Sequence, residues 1–283
     1  MTISPIRITG GTPAGGSYDP AGLIVEYEPP AGPRWMLTSA DGDRHRNIFL
    51  QPDGISGLRG RVEWDESESV NQYGVRRTGR QNFRTPPLGI SLNVGLRAEH
   101  GEMESLVRRW DQAWSFFEPG KLHVRSVAGG VFWTPVVDPV FPDWPDNLVS
   151  RRYLEVSMSC RALKGHWFGR TDAYTGNVQV LAKGDAPLVS SCRLVWDGRA
   201  TSFKVPGGET ISLTSVSGKR FINLDRGMTG QVTTEAGVVD SVTWSALLGK
   251  VDGVSLDPGS VTQWQLGDGL TLEVTPRYLS PWR

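Results

Sequence analysis

The sequence predicts a mainly β protein in two domains, a first whose sheet is covered by one helix and a second that is an antiparallel sandwich. Three observations carry this expectation. Leu88, Ile90, Leu92, Val94 and Leu96 alternate without a break, the period of a half-buried strand. Directly afterwards, between Glu99 and Phe117, the residues Met103, Leu106, Val107, Trp110, Ala113, Trp114 and Phe117 recur at the spacing of one helical face. From Asn177 onward no segment reads as a long helix, and short alternating runs are broken by turn residues about every eight to twelve positions.

Taken in order, residues 1–35 place Gly10-Gly11, Gly15-Gly16 and Pro29-Pro30 around the apolar run Leu23-Ile24-Val25, which reads as a strand or two joined by loops. Trp35 to Leu37, the polar turn Asp41-Gly42-Asp43 and Ile48 to Leu50 read as a hairpin. Asp-Gly-Asp also suggests a calcium loop, but the glycine and distal glutamate of an EF-hand do not follow, which favours a plain turn. Val62-Glu63-Trp64 runs into the acids Asp65, Glu66 and Glu68, and Tyr73 to Arg84 carries Arg76, Arg77, Arg80 and Arg84. Few core residues, with opposite charge at the two ends, describe an excursion from the domain body, a hairpin arm over about 62–86. Arginines beside Tyr73 and Phe83 also fit a single-strand nucleic-acid surface; the neutrality of the whole chain favours an arm that pairs with an acidic neighbouring surface.

The helix expected over Glu99–Phe117 has Glu102 and Glu104 in its first turn, at the positive end of its dipole, and Pro119-Gly120 as its stop. Its stripe holds two Trp and one Phe, each worth roughly 2–3 kcal/mol when fully buried, so it needs a broad apolar partner. The strand before it and those after it supply one: Leu122 and Val124, with Val127 beyond them, then Val131 to Val137 after Gly129-Gly130, then Tyr153 to Cys160. Met103, Leu106, Trp110, Trp114 and Phe117 are therefore expected on their own sheet, with Arg108, Arg109 and Asp111 outward. Asp138 to Asp146, with three prolines, reads as a loop, and Leu154, Val156, Met158 and Cys160 point inward. The alternation lapses between Gly165 and Gly176, which sets a first domain of 1–168 and a second of 169–283. The second is built from Val178 and Val180, Cys192–Trp196, Thr201–Val205, Thr210–Leu213, Phe221–Leu224, Val242–Leu247 and Trp264–Val274.

Thirty basic against thirty acidic residues leave no global field to draw the chain onto nucleic acid or anionic lipid. The first residues lack the charged and apolar regions of a signal peptide, and no apolar window is long enough for a membrane helix, so a soluble chain is expected. Cys160 and Cys192 are able to pair, but both lie in alternating runs that suit small buried hydrophobes; two free thiols are expected, in keeping with folding in a reducing cytoplasm.

The motifs of common chemistry are absent. His45, His100, His123 and His166 have no metal-binding spacing, there is no Gly-x-Ser-x-Gly elbow, and neither Gly249-Lys250 nor Gly57-Leu-Arg-Gly60 has the context of a phosphate loop or dinucleotide fingerprint. The best enzymatic alternative is a carbohydrate-binding or glycoside-cleaving sandwich. It would take its carboxylates from Glu63, Asp65, Glu66 and Glu68 and its sugar platforms from Trp133, Trp144, Trp167, Trp196, Trp244, Trp264 or Trp282. Solvated surface acids and core or interface tryptophans are the commoner explanation of both sets. The other class is a structural assembly protein.

Three stretches resemble a known family. They are Arg84-Thr-Pro-Pro-Leu-Gly-Ile leading to Trp110-Asp-Gln-Ala-Trp114; Tyr153-Leu-Glu-Val-Ser-Met-Ser-Cys-Arg161 ahead of Trp167-Phe168-Gly169; and Leu256-Asp-Pro-Gly-Ser260 with Arg277-Tyr-Leu-Ser-Pro-Trp282. Together they are similar to the distal tail proteins, a class of minor tail protein, of long-tailed non-contractile bacteriophages. The resemblance implies an N-terminal β-barrel or sheet domain with one helix and a protruding arm, and a C-terminal galectin-like β-sandwich. It implies no enzyme activity, no cofactor and no metal. The N-terminal domains of this family form a homo-oligomeric ring, usually a hexamer, that joins the tail tube protein to the tail-tip hub and passes DNA through its lumen. The expected location is the virion tail tip, after assembly in the host cytoplasm. Tyr73, Arg76, Arg77 and Arg80 become the candidates for intersubunit contact, although no family motif fixes them. The family's galectin-like domain generally lacks a sugar site, no motif here restores one, and the chain leaves little room for an inserted carbohydrate-binding module.

Overall fold

Alternating apolar residues on long runs form the first sheet, whose strands in chain order are β1 (Ile24–Glu28), β2 (Trp35–Met36) and β3 (Ile48–Ser56). The excursion supplies β4 (Glu63–Trp64), β5 (Glu66–Ser67), β6 (Arg76–Arg77) and β7 (Phe83–Arg84). Then come β8 (Leu88–Arg97), α1 (Met103–Gln112), β9 (Gly120–Arg125), β10 (Val131–Val140) and β11 (Tyr153–Ala162). The computed structural model describes residues 23–38, 47–68, 74, 76–77, 83–125, 130–185, 187–225, 230–251, 254 and 256–282. Gly10-Gly11, Gly15-Gly16, Asp41-Gly42-Asp43, His45, Tyr73, Arg80 and Val127 lie outside them. The chain divides into two units, Met1–Trp167 with Leu279–Arg283 and Phe168–Tyr278, so its last five residues belong to the first.

In unit 1 the main sheet runs β2-β1-β9-β10-β11-β8-β3, all antiparallel along this path. β10 turns the sheet: Val131–Val136 pair with β9, whereas Val137 and Val140 pair with β11. Between them Asp138 sits at φ +52°, a bulge followed by Pro139, so the strand runs on into the segment expected as a proline loop. The two ends of the path approach at one backbone hydrogen bond, Leu50 N–H to Leu37 O (2.8 Å), but no ladder forms there and the sheet is not a closed barrel. β2 pairs with β1 across the Pro29-Pro30 turn, with Tyr27 opposite Trp35, rather than in a ladder with β3 as the hairpin reading expected.

α1 is shorter than its apolar stripe suggested, because the helix ends at Gln112. Met103, Leu106, Val107, Trp110 and Trp114 are buried, while Arg108, Arg109 and Asp111 face outward. Phe117 departs from expectation and is 93% exposed, as is Phe116 at 63%. Beyond the last helical turn the backbone no longer follows a 3.6-residue period; Ser115 Oγ accepts the N–H groups of Phe117 and Glu118 and turns the chain away. The buried stripe meets the sheet through rings: Tyr27 stacks on Trp114 (3.8 Å between centroids), and Trp110 is edge-on to both Tyr27 and Trp35. Tyr27 Oη–H donates to Ala113 O (3.0 Å), tying β1 to the end of α1. Gly120 is required beneath this ring, since a Cβ there would lie 2.5 Å from Tyr27 Oη and 2.6 Å from its Cε2.

β12 (Trp167–Phe168) spans the division between the units. Unit 2 then carries β13 (Asp172–Tyr174), β14 (Asn177–Leu181), β15 (Ser191–Trp196), β16 (Thr201–Lys204) and β17 (Thr210–Leu213). It continues with β18 (Arg220–Asn223), β19 (Val232–Thr234), α2 (Ser241–Leu247), β20 (Val261–Leu266), β21 (Leu270–Thr275) and β22 (Arg277–Tyr278). Two sheets, β13-β21-β15-β18-β19 and β14-β20-β16-β17, enclose one core containing Trp196, Phe203, Ile222, Trp264 and Leu272. Val242–Leu247, expected as a strand, is the short helix α2, capped by Asp240, whose side chain accepts from Thr243 N–H. Arg220 Nε–H donates to the same carboxylate at 2.8 Å, and these bonds hold Asp240 at a pKa of about 2. The mainly β class and the single covering helix of the first sheet are thus as the sequence predicts.

Candidate subunit interface

The excursion between β3 and β8 forms two short antiparallel ladders. Glu63 lies opposite Arg84 and Trp64 opposite Phe83 in one, Glu66 opposite Arg77 and Ser67 opposite Arg76 in the other. One residue, Asp65, separates the ladders on the outgoing strand and five, 78–82, on the return. The register decides where the charge goes. Glu63 is 2.8 Å from Arg84 Nε and 2.9 Å from Arg61, and Glu66 is 3.6 Å from Arg77. The acids expected at one end of the arm therefore meet the arginines of its other strand, and much of the charge is met within the arm. Arg77 also sits 4.6 Å above the Trp64 ring, which packs at 5.3 Å against Phe83. Of the four candidate contact residues, Arg76 and Arg77 are side by side and exposed on β6, and Tyr73 and Arg80 lie outside the described residues.

The root of the arm is fastened to the body of unit 1. Leu58 O accepts from Trp167 Nε1–H (2.7 Å), Gly60 N–H donates to Leu279 O (2.6 Å), and Thr85 Oγ donates to Lys164 O (2.9 Å). Trp167 is fully buried, so one of the tryptophans considered as a sugar platform is instead a post for the arm.

A second polar surface lies on β1 and β9. Arg34 bridges Glu26 and Glu28, and Glu28 also accepts from Lys121 (3.2 Å) and lies 2.8 Å from His123 Nε2. Partial burial raises the Glu28 carboxyl, but the hydrogen bonds from Lys121 and His123 outweigh it and bring it below its ordinary value. Burial lowers His123, against the pull of Glu28.

The residues considered for sugar cleavage are not brought into one cleft. Glu63 and Glu66 are in ion pairs on the arm, and Glu68 is exposed there. Trp196 and Trp264 are fully buried in the core of unit 2, Trp133, Trp144 and Trp244 are half-buried, and Trp282 is exposed. Cys160 and Cys192 are free and buried, and burial pushes both thiols up to about 12, so neither is a nucleophile at neutral pH. Among the described residues no three His, Cys, Asp or Glu side chains are grouped to hold a metal.

No family model matches the sequence, and no curated protein matches it. Solved structures do. The SPP1 Dit protein, described as a paradigm of the hub adsorption apparatus in phages infecting Gram-positive hosts, is 11% identical with a TM-score of 0.58; the match covers 90% of this chain and 99% of that one. Chains of the phage P2 baseplate in its activated conformation match at 10% identity, with TM-scores of 0.54 for the calcium form and 0.51 for the strontium form, covering 90% of this chain and 98% of each. At these identities the fold is what is shared, and over nine-tenths of its length this chain has the fold of phage Dit hub and baseplate proteins.

Proposed function

We propose that the protein is a non-enzymatic ring adaptor of the tail tip of a long-tailed, non-contractile phage, acting by ordered assembly. Unit 1 closes a homo-oligomeric ring, a hexamer, between the tail tube and the tail-tip hub, with its arm reaching the adjacent subunit; unit 2 is its galectin-like sandwich. The observation that carries this reading is the end-to-end match to Dit, which includes both units and nearly the whole of the matched protein. A heterologous contact, one patch meeting a different patch on the next copy, closes rings, and a protruding arm is suited to it. Location in the virion and assembly in the host cytoplasm belong to the same proposal.

The test is the oligomeric state of the purified full chain by mass photometry and of tails by electron microscopy. Closed rings are expected; a monomer at every concentration, with no ring in tails, overturns the proposal. Reversing charge at Arg76, Arg77 and Arg80 should weaken the ring and leave the cores of both units folded, with the Glu66 and Trp64 contacts of Arg77 lost inside the arm; unchanged assembly removes the arm from the interface.

A further inference from the structure

Both legs of the arm are gripped by backbone just before its first rung, the pair Glu63–Arg84. On the outgoing leg Gly60 is buried, its N–H donates to Leu279 O, and a Cβ on it would stand 2.5 Å from Gly165 O and 3.4 Å from Leu279 Cδ2. On the return leg Thr85 Oγ donates to Lys164 O, and Gly165, at φ +67°, leaves no space for a Cβ against Pro86 O and Thr85 O. The turn closed by Gly165 N–H on Ala162 O (3.1 Å) therefore meets both legs.

The two legs differ in what grips them. The return leg is held at Thr85, directly beside the rung, by the turn after β11. The outgoing leg is held by Trp167 only as far as Leu58, and Leu279 carries the hold forward to Gly60. Leu279 belongs to a segment that is itself seated, since Ser280 and Pro281 after it are buried. Without that segment the buried N–H of Gly60 loses its acceptor, a costly state for a buried donor, and the stretch beyond Leu58 is free to swivel.

We infer that Leu279–Trp282 is a strap that fixes the direction in which the arm leaves the body of unit 1. A hairpin gripped on one leg turns about that leg, whereas one gripped on both legs beside its first rung has a set plane. An arm held in this way has its orientation decided before any partner arrives, which reduces the freedom lost on docking. The use of a fixed arm rests on the reading of the arm as a subunit contact; the strap is a property of the single chain.

The test measures the direction of the arm in the full chain by double electron–electron resonance. Spin labels go on Arg76→Cys in the arm and Glu104→Cys on α1, both exposed positions, while Cys160 and Cys192 are buried and stay unlabelled. The otherwise unaltered chain should give one narrow distance distribution. Pro281→Glu, which puts a carboxylate at a buried position and drives the strap off, should broaden it at least about twofold and speed amide exchange over residues 59–64 about tenfold. Gly60→Ala, whose Cβ pushes the leg away from Gly165, should act in the same direction. The near-ultraviolet signal of the Tyr27–Trp114 stack should persist in both, showing that the body is folded. A distribution that stays narrow in Pro281→Glu overturns the inference. Loss of the stack signal in both variants also overturns it, because the segment is then part of the core. Broadening with rings that still close leaves the strap standing and removes the arm from the ring contact.

Discussion

Unit 1 covers its sheet with a helix, whereas unit 2 covers one sheet with another. The helix must deliver most of its burial through a few large rings, and Trp110, Trp114, Tyr27 and Trp35 form one interlocked group. The sandwich fills its core from two inner faces, where Trp196, Phe203 and Trp264 are set among many aliphatic side chains, and its own helix, α2, contributes Leu247 as its buried residue. A few large anchors make the first unit sensitive to single substitutions at named positions. In the second the large rings are distributed through a two-sided core, so no comparable group ties a helix to its sheet.

The largest effect that would sharpen this contrast is at Trp110. Trp110→Ala should cost about 3–5 kcal/mol, with the accelerated amide exchange confined to unit 1; spread of the change into unit 2 would break the comparison. Gly120→Ala comes next, at about 1–3 kcal/mol from overpacking against Tyr27, visible as a loss of near-ultraviolet ellipticity from the stacked rings. Asp240→Ala in unit 2 should cost about 1 kcal/mol through the lost cap. Because folding lowers this carboxyl from 3.8 to about 2, its contribution is complete above pH 4 and is lost as pH falls through 2. Parent and variant stabilities should therefore converge in acid, and a gap that widens there would refute the assignment. Smallest of all, Phe117→Ser should change the stability of the monomer by less than about 0.5 kcal/mol in urea unfolding, since that ring is outside the anchor group.

Long elements were the readable ones. The strand from Leu88 and that from Tyr153 pair residue for residue over ten positions, as uninterrupted alternation on both implies. The helix was legible in its middle and misjudged at its end: Phe117 keeps the right spacing, but spacing has meaning only while the backbone remains helical, and Ser115 ends that. Val242–Leu247 is too short for periodicity to separate strand from helix, and the sign that decides it is the cap at Asp240. The arm was visible as an excursion because its composition lacks a core. Its charge pairing was not, since Glu63 and Arg84 become neighbours only once the register is set.

The bond between Gly60 N–H and Leu279 O has a meaning in time as well as in space. Leu279 follows Tyr278, the last residue of unit 2, so the arm root lacks this acceptor until all of unit 2 has been made. Between Gly60 and Leu279 lie 218 residues, so at roughly 5–20 residues per second the bond waits roughly 10–45 s after Gly60 is made. Until then the arm root is held by the bonds from Trp167 to Leu58 and from Thr85 to Lys164. Of the three fastenings of the arm root, this one therefore closes only after the second unit has been synthesised.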